Sequence, residues 1–412
     1  MSDPINVFEL ANGLRVVHQQ VKSTQLVHCA VGINAGTRDE SKANNGAAHF
    51  IEHAVFKGTE KRKPYQLFNL IESVGGEINA YTTRENTFFY SSSLKRYLNR
   101  NLELLSDLVF NPVFDPKELD KERKVILEEI EMYQDSPEDS IYDDFFLNLY
   151  KEQPLGLNIL GTPESLANIG RKELADFRTK FYTQPNLVLS ICGNVTLNKA
   201  KLLAERHFAE LQLSNGATKR KPATISAPFA ISEEKDFFQS HSIIGSPAYS
   251  RFDENRFPLM VLNNILGGQS MSSRLNLNVR EKHGYVYHIS SAYTAFEDTG
   301  VFMIQYGCDE ANQTKTQNII KRELKKLKTK KLGSVQLNIA KRQLQGQLAM
   351  LVENPSYKMQ SSARAILNYG QIMPIEAILN KIESVSADQI LNVANQVFND
   401  GQMSQFIYLS NK

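Results

Sequence analysis

The spacing of apolar residues along the chain changes repeatedly between two periods, which predicts a mixture of strands and amphipathic helices. Two short apolar runs flank Asn12-Gly13, a pair typical of a tight hairpin turn. Further strands are predicted at 26–33, 77–83, 86–91 and 186–193. Helical spacing is found at 46–58, 65–74, 94–109, 116–133, 142–150, 174–181 and 197–211. Strands and helices interleaved in this way predict an α+β fold.

The second half of the chain repeats the order of the first half. Helices are predicted at 258–266, 273–282, 317–327 and 335–352, and strands at 285–291 and 299–307. A polar stretch rich in turn residues begins at 214 and is typical of a linker. We therefore predict an N-terminal domain at 1–213, a linker at 214–227 and a C-terminal domain at 228–412. Each domain is expected to be a mostly antiparallel sheet with helices packed on one face.

One predicted helix carries ionisable residues within an apolar segment. His49 and His53 are four residues apart, which places both imidazoles on one helix face, and Glu52 lies beside them. Asn44 and Asn45 precede the helix as candidate caps. Two histidines and a carboxylate are a natural zinc constellation. Because eight histidines in 412 residues can form this pattern by accident, the motif needs a third ligand.

The helix predicted at 116–133 supplies that ligand. At about 100° per residue, Glu122 and Glu129 fall within its apolar stripe, whereas the other glutamates point away from it. Two carboxylates on a buried face are costly unless they are paired or bind a metal. In the repeat, Ala340 and Gln347 stand at the corresponding positions. The sequence therefore predicts a metal site in the first half and none in the second half.

Composition narrows the class of protein. Hydrophobic residues make up 42% of the chain and charged residues 22%, as in ordinary globular proteins. A net charge of +2 favours neither a nucleic-acid partner nor an anionic membrane. The three cysteines lie among apolar residues, which predicts free thiols and a reducing compartment. With no signal peptide, transit peptide or membrane span recognised in the sequence, a cytoplasmic location is expected.

Taken together, these motifs resemble the M16 family of zinc metallopeptidases, the group of pitrilysin and mitochondrial processing peptidase, and in particular its bacterial two-domain M16B-type members. The resemblance covers nearly the whole chain and implies a LuxS/MPP-like metallohydrolase fold with two repeated two-layer domains. Tyr285 departs from the family pattern, which usually has an aliphatic residue there. The matching segments are 45–59 (NGAAHFIEHAVFKGT), 75–82 (GGEINAYT), 122–130 (ERKVILEEI), 267–275 (GGQSMSSRL) and 280–287 (REKHGYVY).

The resemblance implies specific roles around one Zn²⁺ per chain. His49, His53 and Glu129 are implied to bind the metal and to leave a fourth position for water. Glu52 is implied to be the general base of peptide hydrolysis. Glu122 is implied to orient a ligand, although a simple buried ion pair would also account for it.

The resemblance also implies how a peptide is held. Arg280 and Tyr287 match a pair that binds the substrate backbone and stabilises the developing oxyanion. Asn79 and Ala80 lie on a strand that resembles the family's peptide-binding edge strand, where main-chain groups pair with an extended peptide. Because a two-domain chain has half of the family's closed chamber, we expect a homodimer in which Arg280 and Tyr287 act on the partner's metal site.

Three functions follow from these expectations. The first is a zinc endopeptidase that cleaves short or unfolded peptides. The second is a non-catalytic assembly subunit of the same fold, and the third is a subunit that is active only with a different partner chain. The presence of every implied ligand, the base and the Arg280 and Tyr287 pair on one chain favours the first function.

Overall fold

A computed structural model describes residues 4–151 and 153–411 of the chain. The strands are β1 (Ile5–Glu9), β2 (Arg15–Gln20), β3 (Leu26–Ile33), β4 (Glu77–Thr82), β5 (Thr87–Leu94), β6 (Leu187–Gly193), β7 (Ala230–Lys235), β8 (Ser240–Ala248), β9 (Val286–Ala295), β10 (Gly300–Cys308) and β11 (Ser404–Ser410). The first eight α-helices are α1 (Ala47–Ala54), α2 (Pro64–Glu72), α3 (Leu98–Phe110), α4 (Pro116–Gln134), α5 (Pro137–Leu149), α6 (Pro163–Ala167), α7 (Arg171–Phe181) and α8 (Leu197–Phe208). The remaining α-helices are α9 (Arg256–Gly267), α10 (Glu310–Thr329), α11 (Ser334–Glu353), α12 (Pro355–Tyr369), α13 (Ile375–Glu383) and α14 (Ala387–Val397).

The two sheets have matching strand orders. The first sheet runs β1-β2-β6-β3-β5-β4 and the second runs β7-β11-β8-β10-β9. In each sheet one pair is parallel, β2 with β6 and β7 with β11, and every other pair is antiparallel. The first sheet differs by the extra strand β1, which forms the predicted hairpin with β2 through Gly13 at φ +81°. The repeat predicted from the sequence is therefore present in the topology.

The described chain divides into two compact units. The first unit consists of residues 4–130, 157–221 and 350–373, and the second consists of residues 131–156, 222–349 and 374–411. The change from one unit to the other at 221–222 lies inside the predicted linker. The predicted domains are continuous ranges, however, whereas each unit takes one segment from the other half of the chain. These exchanged segments contain α5 and α12.

Burial explains why the two segments are exchanged. Met359, Ala363 and Ile366 of α12 are buried against Val17, Ala30, Phe88 and Val188 of the first sheet. In the second unit, Ile141, Phe145 and Phe146 of α5 pack against Ile243, Val301, Met303 and Phe406. The other helices that cover each sheet lie on its opposite face, as predicted. Each sheet thus gains one helix on the face that the sequence prediction left uncovered.

Local differences from the predicted elements lie mainly in the second unit. Most of the helix predicted at 273–282 is a π-helix, Asn276–Glu281, in which the Lys282 amide donates to the Leu277 carbonyl. Strands β7, β8 and β11 and helices α12 to α14 were absent from the prediction. All three cysteines are free and buried, as predicted. No helix among the described residues has the length and apolar character needed to cross a membrane.

Candidate metal centre

Gly46 precedes helix α1, and a carboxylate from an earlier loop, Glu40, caps the start of the helix. Gly46 adopts φ +94°, a conformation that side chains disfavour, and no side chain of its own caps the helix. Instead the buried Glu40 carboxylate accepts hydrogen bonds from the Gly46 amide at 2.8 Å, the Ala48 amide at 2.7 Å and the Asn45 side chain at 2.9 Å. The prediction that Asn44 or Asn45 caps the helix is therefore wrong. A carboxylate at this end also suits the helix dipole.

The two histidines of α1 face Glu129 of α4. His49 Nε2 lies 3.8 Å and His53 Nε2 lies 3.5 Å from the same Glu129 oxygen, Oε2. The two imidazole rings are 4.7 Å apart, centre to centre. One ligand atom from each of the three residues lies within 4.8 Å of the others. The structure thus brings together the three side chains that the family resemblance implies as zinc ligands.

Glu122 holds the far side of the His53 ring. His53 Nδ1 donates to Glu122 Oε2 at 3.1 Å, and Lys57 Nζ contacts the other carboxylate oxygen at 2.6 Å. This bond fixes the proton on Nδ1 and leaves Nε2 to face Glu129. The half-exposed Lys57 had not been singled out from the sequence. The sequence could have indicated Lys57 by its position four residues after His53, in the 3-10 turn Val55–Lys57 that follows α1.

The pKa values of the two histidines are shifted in opposite directions. Burial lowers the pKa of His49 to about 4, and the neighbouring His53 adds to this effect. Burial would also lower the pKa of His53, but hydrogen bonds with Glu122 and Glu129 outweigh it and raise the pKa to about 9. The bond with His53 lowers the pKa of Glu129. Without a metal, this site therefore pairs a neutral imidazole with an imidazolium beside two carboxylates.

Comparison with the other histidines of the first unit tests whether these residues fit a metal. His18 contacts the Val195 carbonyl at 2.9 Å, His28 contacts the Ser92 hydroxyl at 2.7 Å and His207 contacts the Asn99 side chain at 3.0 Å. By contrast, His49 Nδ1 is buried and has no hydrogen-bond partner among the described residues. His49 therefore lacks the kind of hydrogen bond that holds those three rings, and its Nε2 faces Glu129 Oε2 at 3.8 Å. Two nitrogen donors and one carboxylate oxygen are a set that zinc commonly takes.

Glu52 lies beside the three donors and is held by the edge strand. Its Oε2 accepts a hydrogen bond from the Thr82 hydroxyl at 2.6 Å. Burial raises the pKa of Glu52, and the bond from Thr82 opposes that rise. Thr82 is the last residue of β4, and no motif in the sequence assigns it a role of its own. No spacing rule links it to Glu52, because the contact depends on how α1 packs against the strand.

Strand β4 forms one edge of the first sheet, with only β5 beside it among the described strands. The predicted peptide-binding residues Asn79 and Ala80 lie in its middle. Ala80 packs against the core, whereas the Asn79 side chain is turned along the edge and accepts from the Ala80 amide at 2.8 Å. The Ala80 amide, which is predicted to bind a peptide, thus donates to the Asn79 side chain instead. A peptide carbonyl would have to replace that side chain.

Arg280 and Tyr287 lie close together in the second unit. Arg280 belongs to the π-helix and Tyr287 to β9, with the guanidinium carbon 5.9 Å from the centre of the phenol ring. Tyr287 is 84% exposed. A cavity of about 300 Å³ borders Arg280 and is lined also by Asn276, His288 and the Gly267-Gly268 pair. The partly exposed Arg280 and the exposed Tyr287 therefore form a neighbouring pair of donors.

Known proteins match the chain over nearly its whole length. The model for insulinase, peptidase family M16, matches residues 15–163, and the model for the peptidase M16 inactive domain matches residues 168–344. An uncharacterized zinc protease, YmxG, of Bacillus subtilis is 32% identical over 397 residues, which is 96% of each chain. The chain belongs to the M16 peptidase family. An uncharacterized zinc protease of Rickettsia felis is 33% identical over 99% of this chain and 98% of its own.

Solved structures agree with the M16 fold. A protease from Helicobacter pylori superposes with a TM-score of 0.92 at 22% identity, covering 99% of this chain and 100% of the other. A peptidase M16 inactive domain from Pseudomonas fluorescens gives 0.91 at 18% identity, over 99% and 98% of the two chains. The predicted family and fold class are confirmed. The relatives are named zinc proteases, which supports membership of a zinc protease family for this chain.

Proposed function

We propose that this M16 protein is a zinc-dependent endopeptidase that cleaves short or unfolded peptides. One observation carries the proposal: donor atoms of His49, His53 and Glu129 converge within 4.8 Å of one another. Glu52, one residue from His53 in α1, provides a carboxylate beside them. Two imidazoles and one carboxylate would hold a single Zn²⁺ per chain and leave a coordination position open, as in catalytic zinc sites.

The residues of the site divide the chemistry among them. When bound, zinc supplies a Lewis acid that polarises a peptide carbonyl and acidifies water. Glu52 accepts a proton from the attacking water and passes it to the leaving amine. Glu122 orients His53 through Nδ1 and keeps its Nε2 directed toward the other donors. The paired contact of Glu122 with Lys57 fixes that carboxylate in turn.

Peptide binding is proposed to follow the edge of β4. An extended peptide would pair with main-chain groups at Asn79 and Ala80, and its carbonyl would take over the Ala80 amide from the Asn79 side chain. Recognition through the backbone tolerates many side chains, which suits broad specificity. Arg280 and Tyr287 are proposed to hold the substrate backbone and to donate to the oxyanion.

We assign Arg280 and Tyr287 to the metal site of a partner copy in a homodimer that encloses a chamber. Their support is the exposed, paired arrangement of the two side chains and the M16 membership of the chain. Mixed dimers test this assignment: a Glu52→Gln chain combined with an Arg280→Ala chain should regain activity above either parent. Mixed dimers no more active than the parents would show that the pair does not act across subunits.

The test of the proposed activity compares two glutamine variants of the purified chain. We expect wild-type protein to contain one zinc and to cleave a peptide library, with activity lost on chelation and restored by zinc. Glu52→Gln should retain the metal and lose turnover by about a thousandfold or more. Glu128→Gln, at an exposed position on α4, should keep both. Absence of zinc, or no cleavage at saturating peptide, would refute an endopeptidase that acts without another chain.

A further inference from the structure

The Thr82 hydroxyl joins the proposed peptide-binding edge to the proposed general base. It donates to Glu52 Oε2 at 2.6 Å, a short charge-assisted hydrogen bond. Since the bond engages one carboxylate oxygen, it leaves the other oxygen free to take a proton. A threonine at this position thus sets which way the carboxylate faces. The proposed function as it stands does not account for this contact.

Thr82 is fixed in place by the hairpin that it ends. It stands opposite Thr87 in the register of β4 and β5. The following turn is closed by the Thr83 amide, which donates to the Asn86 carbonyl at 2.8 Å, and by the Thr83 hydroxyl, which bonds the same carbonyl. A turn with these bonds has little freedom to move. The position of the Thr82 hydroxyl is therefore determined by the sheet and by the turn.

The loop at 36–40 attaches this turn to the protein. The Arg38 amide donates to the Arg84 carbonyl at 2.7 Å, and the Thr37 amide donates to the Thr83 carbonyl at 3.3 Å. The buried Arg38 side chain also pairs with Glu85 at 2.6 Å. Breaking such a buried pair leaves an uncompensated charge, which strongly disfavours movement of the turn.

The same loop holds the beginning of α1. Its last residue, Glu40, accepts from two amides at the N-terminus of the helix. The Arg220 side chain donates to both carboxylate oxygens of the neighbouring Asp39, from Nε at 3.0 Å and from Nη2 at 2.8 Å. The loop thus fixes both the helix that carries Glu52 and the strand that carries Thr82. The Thr82–Glu52 hydrogen bond therefore joins a strand and a helix that the loop at 36–40 already holds in place.

We propose that Thr82 is a positioning residue that orients the Glu52 carboxylate for proton transfer and aligns it with peptide bound along β4. The inference rests on the proposed function, since it assigns Thr82 to the base of that reaction. A misplacement of about 1 Å in a catalytic group can reduce a rate by about a hundredfold. Thr82 acts through Glu52 and needs no contact with the metal or the scissile bond.

The test separates the hydroxyl from the shape of the side chain. Thr82→Val keeps the branched shape and removes the donor, whereas Thr82→Ser keeps the donor. With zinc-loaded protein and a fluorogenic peptide, we expect Thr82→Val to lower kcat by about tenfold to a hundredfold, with KM and zinc content unchanged. We expect Thr82→Ser to retain kcat within about threefold of wild type, because its hydroxyl can make the same bond.

Thr87 provides the matched control. It faces Thr82 across the hairpin, is buried, and donates to the Ala35 carbonyl at 3.0 Å rather than to Glu52. Thr87→Val therefore removes a comparable hydroxyl from the same hairpin and should lower the melting temperature while leaving kcat near that of wild type. An equal loss of kcat in Thr87→Val would overturn the positioning role, because general damage to the hairpin would then explain both variants.

A structural measurement supplies a second readout that does not depend on turnover. Crystal structures should show the Glu52 carboxylate rotated away in Thr82→Val and in its wild-type position in Thr82→Ser. Wild-type kcat in Thr82→Val, or an unmoved carboxylate, would refute the proposal while leaving the endopeptidase function intact. Absence of cleavage by zinc-loaded wild-type protein would instead refute the proposed function, and the carboxylate position would still decide whether Thr82 orients Glu52.

Discussion

Helices α4 and α11 occupy corresponding places in the two repeats, but only α4 carries the carboxylates of the proposed metal site. Glu122 and Glu129 face the histidines of α1, whereas α11 has the buried Ala340 and the partly buried Gln347 at these positions. The counterpart of α1 is α9, an apolar helix without histidine. The two units therefore share a backbone plan and differ in a few side chains. The fold provides equivalent helix positions in both units, and the side chains at those positions determine whether a metal site can form.

The largest effect on zinc binding and cleavage is expected when Glu129, one of the three proposed ligands, is replaced by the residue found in the second unit. Glu129→Gln gives α4 the residue that α11 has at 347. We expect stoichiometric zinc binding and peptide cleavage to be lost, because a neutral amide is a poor zinc ligand and the two histidines alone do not complete the site. Metal analysis after dialysis and a peptide cleavage assay measure both effects.

The reciprocal change is the control for this comparison. Gln347→Glu places a carboxylate on α11, where α9 offers no histidine. We expect it to leave the zinc content at one per chain and the cleavage rate unchanged. Retention of full zinc binding by Glu129→Gln, or a second zinc in Gln347→Glu, would contradict the view that these few residues distinguish the two units.

A smaller effect is expected at the residue that supports His53. Glu122→Ala gives α4 the alanine that α11 has at 340. Loss of the bond to His53 Nδ1 should weaken zinc binding by about tenfold to a hundredfold without abolishing it. Competition with a chelator of known affinity measures the change. Glu128→Ala, at an exposed position on the same helix, serves as the control, and equal zinc affinity in the two variants would argue that Glu122 is only an ion-pair partner of Lys57.

The smallest effect concerns histidines outside the metal centre, which both units contain. Burial lowers the pKa of His28 in the first unit and of His241 in the second. The unfolded chain takes up protons near the ordinary pKa of about 6.5, whereas the folded protein takes them up only at a lower pH. The contribution of these two histidines to the free energy of unfolding should therefore fall as the pH drops below about 6.5.

Chemical unfolding of the metal-free protein at pH 7.5 and 5.5 measures this dependence. His28→Gln and His241→Gln should each reduce the difference in unfolding free energy between the two pH values, because each removes one group that the unfolded state protonates. A variant whose difference equals that of wild type would show that its histidine does not contribute. The two substitutions thus compare the pH sensitivity of the units.

Periodicity in the sequence predicted which residues of the candidate site lie together on one helix, and the structure has these helices. His49 and His53 are four residues apart, and Glu122 and Glu129 are seven apart. Residues at these spacings share one face of a helix, so the local sequence alone predicts each pair. The repeated order of elements likewise predicted two similar units. The helices and the repeat were predictable because the distance along the chain determines the geometry within a helix.

Contacts between distant segments could not be found in this way. Glu40 caps α1 across a loop, and Thr82 reaches Glu52 from a strand thirty residues later. Helix α12 packs on the first sheet although about 160 residues separate it from β6, the last strand of that sheet. The π-helix that carries Arg280 has no distinct spacing signal in its six residues. Tertiary packing decides each of these features, and local propensity does not encode it.

The exchange of α12 has a consequence for the order in which the protein folds during synthesis. Strands β2, β3, β5 and β6 have all been synthesised once residue 193 has been added, but the helix that covers their second face begins at residue 355. At about 5–20 residues per second, the ribosome needs about 8–32 seconds for the interval. During that time the apolar face that includes Val17, Phe88 and Val188 has no cover from its own unit. A nascent chain of this protein therefore exposes an apolar surface for about two fifths of its translation, and chaperone binding should concentrate in that interval.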